Sequence, residues 1–155
     1  MNVAIVKYNA GNILSVTYAL ERLGVSAVVT DNVELLQKAD RVIFPGVGEA
    51  STAMTYLKER NLDTVIKSLE QPVLGICLGM QLLCSYSEEN NTTCLSVFDE
   101  SVVSFLPNGT DKIPQVGWNT ISEYGSPLFN GLAPDAYCYF VHGYYAALGP
   151  DTTAT

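Results

Sequence analysis

The chain has 155 residues, 48% of them hydrophobic, which is enough apolar material for one compact core and excludes a disordered or fibrous chain. Sixteen acidic residues against eight basic ones give a formal net charge of −8, which excludes a general nucleic-acid binder, since neutralising phosphates needs a basic face. Four cysteines, none spaced CxxC, argue against both a disulfide scaffold and a metal site. The N-terminus reads as a strand rather than a signal peptide, and no apolar stretch approaches the roughly 18 residues needed to span a bilayer. The expectation is therefore a cytoplasmic protein without membrane or nucleic-acid partners.

Val3 to Tyr8 is an apolar, β-branched run of the kind expected for a strand buried on both faces. Asn9 to Asn12 forms a turn, with Asn12 placed to cap a helix. Ile13, Val16, Leu20 and Leu23 then recur at helical spacing, and Gly24 closes the helix. The alternation repeats. Ser26 to Thr30 reads as a strand, Val33 to Lys38 as a helix, Arg41 to Phe44 as a strand, and Ala50 to Arg60 and Leu62 to Leu69 as helices. Pro72 to Ile76 reads as another buried strand, leading into a helix from Leu78 to Ser85. Strands alternating with helices imply right-handed crossovers and a parallel, doubly wound α/β sheet. From about residue 92 the texture changes to short strands between turns: Ser101 to Leu106, Trp118 to Ser122, Tyr137 to Val141 and Tyr144 to Leu148.

Gly75-Ile76-Cys77-Leu78-Gly79 has the form of a nucleophile elbow, with cysteine as the nucleophile between a strand and a helix. The flanking glycines let strand and helix approach, and a helix N-terminus favours the reactive thiolate. The alternative is a buried structural cysteine. Pro45-Gly46-Val47-Gly48 follows the strand Arg41 to Phe44, so its N–H groups, with that of Leu78, can form an oxyanion hole at the same sheet edge, or can simply make a glycine-rich turn.

These segments carry a resemblance. GICLGMQLL (75–83), PGVG (45–48), YNAGNILSV (8–16), KIPQVGWN (112–119) and YFVHGYY (139–145), in this order, resemble the class I (triad) glutamine amidotransferases, and within them the glutaminase subunits of imidazole glycerol phosphate synthase. The resemblance implies a three-layer α/β fold with a mostly parallel central sheet. It also implies that Cys77 attacks the side-chain amide of glutamine to give a γ-glutamyl thioester, ammonia and then glutamate. No cofactor or metal is implied. Val47 and Gly48 match oxyanion-loop positions, Gln81 and Glu89 match positions that hold glutamine, and Gly143 and Tyr144 match a substrate-binding segment. Trp118 and Tyr139 match positions near the partner face. The implied partner, in a heterodimer, is a (β/α)₈-barrel cyclase that uses the ammonia to make imidazole glycerol phosphate and AICAR in histidine biosynthesis.

Simpler roles stand beside these. Gln81 fits a solvent-facing helix position, Glu88 and Glu89 fit a solvated loop or a helix cap, and Trp118 and Tyr139 fit a core. Two other identities also stand: an amidotransferase of the pyridoxal phosphate synthase or anthranilate synthase type, or a catalytically dead flavodoxin-like docking module.

The sequence departs from the family pattern in three places. The family's triad histidine and glutamate lie in an HPE segment that these residues lack; the lone histidine, His142, belongs to the FVH segment and reads as a satisfied strand-end residue. Residues 1–155 are therefore expected to be a single amidotransferase domain shortened at its C-terminus. General acid–base help is worth about 10²–10⁴-fold, so slow turnover is expected without it. Gln115 and Val116 stand where the family usually has His and Met, and Gly143 where it has Ser or Thr.

Overall fold

The computed structural model describes residues 1–107, 109 and 112–155. A four-stranded parallel sheet is built from β1 (Val3–Val6), β2 (Ala27–Thr30), β3 (Arg41–Gly46) and β4 (Val73–Cys77), in the order β2-β1-β3-β4. Between them run α1 (Ile13–Arg22), α2 (Val33–Lys38), α3 (Ala50–Glu59) and α4 (Leu62–Lys67), and α5 (Leu78–Leu83) follows β4 directly. The helix ends have local causes. Asn12 accepts from the Ser15 N–H and Asn32 from the Leu35 N–H at the starts of α1 and α2. Gly24, at φ +71°, closes α1, with Val25 N bonded back to Leu20 O.

Helices cover both faces of this sheet, giving three layers. On one face Val3, Ile5 and Ile43 pack against Ile13, Val16 and Leu20 of α1. On the other a larger core joins Ala4, Val6, Val42 and Phe44 to Leu36, Met54, Leu57, Leu62, Ile66, Leu78 and Leu82 from the remaining helices.

Two sequence expectations change. The strand expected to end at Phe44 continues through Pro45 and Gly46, paired with Ile76 and Cys77; pairing with β1 stops at Ile43, so proline's missing N–H forfeits no bond on that side. The strand expected to be buried at 72–76 is partly open: Leu74 and Ile76 are 39% and 38% exposed, because β4 pairs only with β3 and lies beyond the reach of α1.

The C-terminal half makes a second layer of short strands. β5 (Tyr86–Ser87), β6 (Thr92–Thr93), β7 (Ser101–Ser104) and β10 (Tyr144–Ala146) form a mixed sheet in the order β10-β7-β5-β6, and β8 (Gln115–Thr120) pairs antiparallel with β9 (Tyr137–His142). The helix expected to reach Ser85 stops at Leu83 because Cys84 turns extended and Ser85 donates its N–H to Glu100 O. Strands β5 and β6 are too short to leave a periodic signal in the sequence.

Among the described residues, no helix is long and apolar enough to cross a membrane.

Candidate active site

Cys77 is the last residue of β4, and its backbone stands at φ +53°, ψ −117°, a conformation that ordinary side chains adopt only under strain. The close packing of α5 on the sheet imposes it. A methyl group built on Gly75 would lie 2.6 Å from Met80 Cα, and one on Gly79 would lie 2.7 Å from Phe44 C, so only glycine lets strand and helix meet around the turn. The thiol is exposed, which removes the reading of Cys77 as a buried structural cysteine. Cys84 and Cys94 are buried, and burial pushes both of their thiols up to about 11, with the charge of Glu100 adding to the effect at Cys84.

The glycine-rich loop comes to the same place through sheet register. Gly46 is the parallel partner of Cys77, so the chain leaves β3 beside the thiol and runs through Val47 and Gly48, both exposed, with Gly48 at φ +108°. Leu78, first in α5, is buried beneath. Glu49 caps α3 by accepting from the N–H groups of Ser51 (2.8 Å) and Thr52 (3.0 Å), and also accepts from Asn90 Nδ2 (2.9 Å). These bonds, the Ser51 and Thr52 ones foremost, hold its carboxyl well below the usual carboxylate range.

The remaining predicted residues converge from far along the chain. Gln81 is only 8% exposed, so it is not a solvent-facing helix residue; its Nε2 donates to Tyr144 O at 3.0 Å. The same carbonyl lies 2.8 Å from His142 Nδ1, which therefore carries a proton and donates it. His142 is thus a satisfied strand-end residue, flanked by the rings of Phe105 and Phe140. Gly143 O accepts from Phe105 N. Glu89 reaches across to the glycine-rich loop, its Oε2 accepting from Ala50 N at 2.8 Å, while Glu88 binds Ser104 N and Oγ. The end of β9 overhangs the thiol, with Val141 O 4.0 Å from Cys77 Sγ.

Trp118 and Tyr139 are cross-strand partners whose rings meet edge to face, 5.4 Å apart, on the outer face of β8 and β9. Trp118 is 68% exposed, so neither is a core aromatic, and Val116, Tyr137 and Val141 extend the same exposed face. Among the described residues no group of three or more His, Cys, Asp or Glu side chains gathers as a metal ion would require.

Comparison with known proteins gives this geometry a family. The glutamine amidotransferase class-I model matches residues 5–154. The chain belongs to the class-I glutamine amidotransferase family. Among curated relatives, the protein named imidazole glycerol phosphate synthase subunit HisH of Bacteroides fragilis is 58% identical, over 99% of this chain and 79% of that protein. Its namesakes are 56% identical in Bacteroides thetaiotaomicron (99% and 79%) and 44% in Pasteurella multocida (99% and 78%). A crystal structure of a glutamine amidotransferase superposes with a TM-score of 0.75 at 20% identity, covering 98% of this chain and 78% of that one. A Thermotoga maritima glutamine amidotransferase gives 0.60 at 21%, covering 96% and 63%. At such identities the structural matches speak for the fold alone.

Three features of this amidotransferase site left no sequence signal: the overhanging Val141 carbonyl, the latch from Glu89 to Ala50, and the burial of Tyr8 behind the loop. Each joins residues at least 37 positions apart.

Proposed function

We propose that the chain is the glutaminase subunit of an imidazole glycerol phosphate synthase, with Cys77 as nucleophile. The relatives of 56–58% identity support the subunit, and the observation that carries Cys77 as its nucleophile is the register of Gly46 against Cys77, which sets a glycine-rich loop beside an exposed thiol on a strained strand-to-helix turn.

The thiolate sulfur of Cys77 attacks the amide carbon of glutamine, and the carbonyl electron pair moves onto oxygen. The N–H groups of Val47, Gly48 and Leu78 receive that oxyanion. The intermediate collapses to a γ-glutamyl thioester as the amide nitrogen takes up the proton that the Cys77 thiol gave up and leaves as ammonia; water then cleaves the thioester, its oxygen staying with glutamate and a proton returning to the sulfur. Gln81, Glu89, Gly143 and Tyr144 line the substrate's position in this reading. The bonds already made by Gln81 Nε2 and by one Glu89 oxygen leave the Gln81 Oε1 and the second Glu89 oxygen for glutamine. His142 is held through Nδ1 on Tyr144 O as part of the strand end, and no residue of this sequence is assigned the role of general base.

The exposed face of Val116, Trp118, Tyr137, Tyr139 and Val141 is where the (β/α)₈-barrel cyclase docks to form the heterodimer and receive ammonia. A reducing cytoplasm belongs to the reading, because a nucleophilic thiol acts only while reduced. Residues 1–155 act as one amidotransferase domain.

Labelling tests the proposal. A diazo-ketone analogue of glutamine should modify Cys77 and spare Cys84, Cys94 and Cys138, and excess glutamine should suppress the modification. Absence of labelling at Cys77, or labelling that glutamine does not suppress, refutes it.

A further inference from the structure

Tyr8 stands directly behind the glycine-rich loop. The residue is 6% exposed, its ring packs at 5.3 Å from Phe44, and its hydroxyl donates to Pro45 O at 2.7 Å across 37 positions of sequence. A methyl group built on Gly46 would stand 2.5 Å from the Tyr8 oxygen, so the phenol also lies under the next residue of the loop. Gly11, three residues beyond Tyr8, lies close to the same Pro45 carbonyl, where an added methyl would lie 3.5 Å from it. Gly46 is in turn the register partner of Cys77. The hydroxyl thus takes the place of a strand partner for the Pro45 carbonyl, where pairing of β3 with β1 has already stopped, shortly before the chain turns out to Val47 and Gly48.

We infer that Tyr8 is a positioning residue for the loop Gly46 to Gly48: by holding the Pro45 carbonyl from the buried side, its hydroxyl sets the direction in which the following N–H groups point over Cys77. The inference rests on the glutaminase reading, which makes those N–H groups the oxyanion donors. The geometry suits the task. A Pro45 peptide held only from the β4 side would tilt more easily and carry the Val47 and Gly48 N–H groups with it, and donors act on a developing oxyanion only when they are fixed beforehand. Burial, with the nearby charge of Cys77 adding to it, raises the Tyr8 phenol above its ordinary range, so it stays protonated, and a donor, through neutral and moderately alkaline pH.

The test separates reactions that form an oxyanion from those that do not. A glutamine-derived aldehyde, with CHO in place of the carboxamide, adds to Cys77 as a hemithioacetal: the thiolate sulfur bonds to carbon, the carbonyl pair moves to oxygen, and the negative charge passes from sulfur to that oxygen. Iodoacetamide alkylates the same sulfur by displacing iodide, with no charge developing on a carbonyl oxygen. Both are measured on the full chain, the aldehyde by its protection of Cys77 from iodoacetamide. In Tyr8→Phe the aldehyde should bind about tenfold more weakly, less than the 10²–10³-fold that loss of a direct oxyanion donor costs. The iodoacetamide rate should change less than twofold. Replacing Tyr8 with 4-aminophenylalanine, which keeps a donor at the ring end, should restore most of the aldehyde affinity. Unchanged aldehyde affinity in Tyr8→Phe, a parallel fall in both reactions, failure of the amino variant to recover, or loss of the folded state would each overturn the inference. An aldehyde that fails to protect Cys77 in the unmodified chain instead strikes the glutaminase reading itself.

Discussion

Gly79→Ala places one methyl group where helix α5 crosses strand β3. That methyl would lie inside the van der Waals shell of the Phe44 carbonyl oxygen, 2.7 Å from Phe44 C and 3.2 Å from Pro45 C. Carbon settles at more than about 3 Å from oxygen and at about 3.5–4.0 Å from carbon, so helix and strand must part by more than an ångström. The obstruction is backbone, which cannot swing aside as a side chain can. Phe44, Leu78 and Leu82 are each no more than 2% exposed, so any parting also opens the core around them. Overpacking typically costs about 1–3 kcal/mol, and a backbone clash belongs at the top of that range. Alanine's helix propensity returns at most about 1 kcal/mol. The expected net loss is about 2–3 kcal/mol, a drop of roughly 4–12 °C in midpoint for a chain of this size. Urea denaturation followed by far-UV circular dichroism measures it, with Gly24→Ala as the comparison. Gly24 has open space around it and only its φ of +71° to lose, so its variant should cost about 1 kcal/mol. A Gly79→Ala loss no larger than that of Gly24→Ala would refute the claim that close approach, rather than local conformation, demands glycine at the elbow.

Three further predictions concern the thiols. Cys77→Gly should be more stable than Cys77→Ala by about 1 kcal/mol, because glycine relieves a strain of about 1–3 kcal/mol at φ +53° while costing roughly 0.5–1 kcal/mol in chain entropy; equal midpoints in urea would show that the turn stores no strain. With both Cys84 and Cys94 pushed up to about 11, iodoacetamide at pH 8 should leave them unmodified while Cys77 reacts, as peptide mass spectrometry will read. The linked effect on stability has a definite sign. The folded state keeps these two protons to higher pH than the unfolded chain, so stability should fall as pH rises from about 9 to about 11; a flat profile across that window contradicts the burial effect.

The local units of this protein are legible in the residues themselves. Asn12, Gly24 and the apolar spacing of Ile13, Val16 and Leu20 define the first helix, and the run of βα units defines a parallel sheet, because capping, left-handed closure and amphipathic period act over a few residues. The elbow around Cys77 is legible for the same reason: Gly75 and Gly79 are the imprint of one close approach.

What faces the thiol was decided only by the tertiary structure. The parallel register that sets Gly46 against Cys77, the burial of Gln81 with its amide on Tyr144, the Glu89 latch on Ala50 and the Tyr8 bond to Pro45 all join residues 31 to 63 positions apart. No local pattern encodes such pairs, since they follow from how whole elements stack. The exposure of Trp118 and Tyr139 is likewise a matter of stacking: an aromatic cross-strand pair reads the same in sequence whether a core, a solvent face or a partner lies above it, and here β8 and β9 carry it on their outer side. The sequence determined the reactive turn, and the packing of distant segments determined its surroundings.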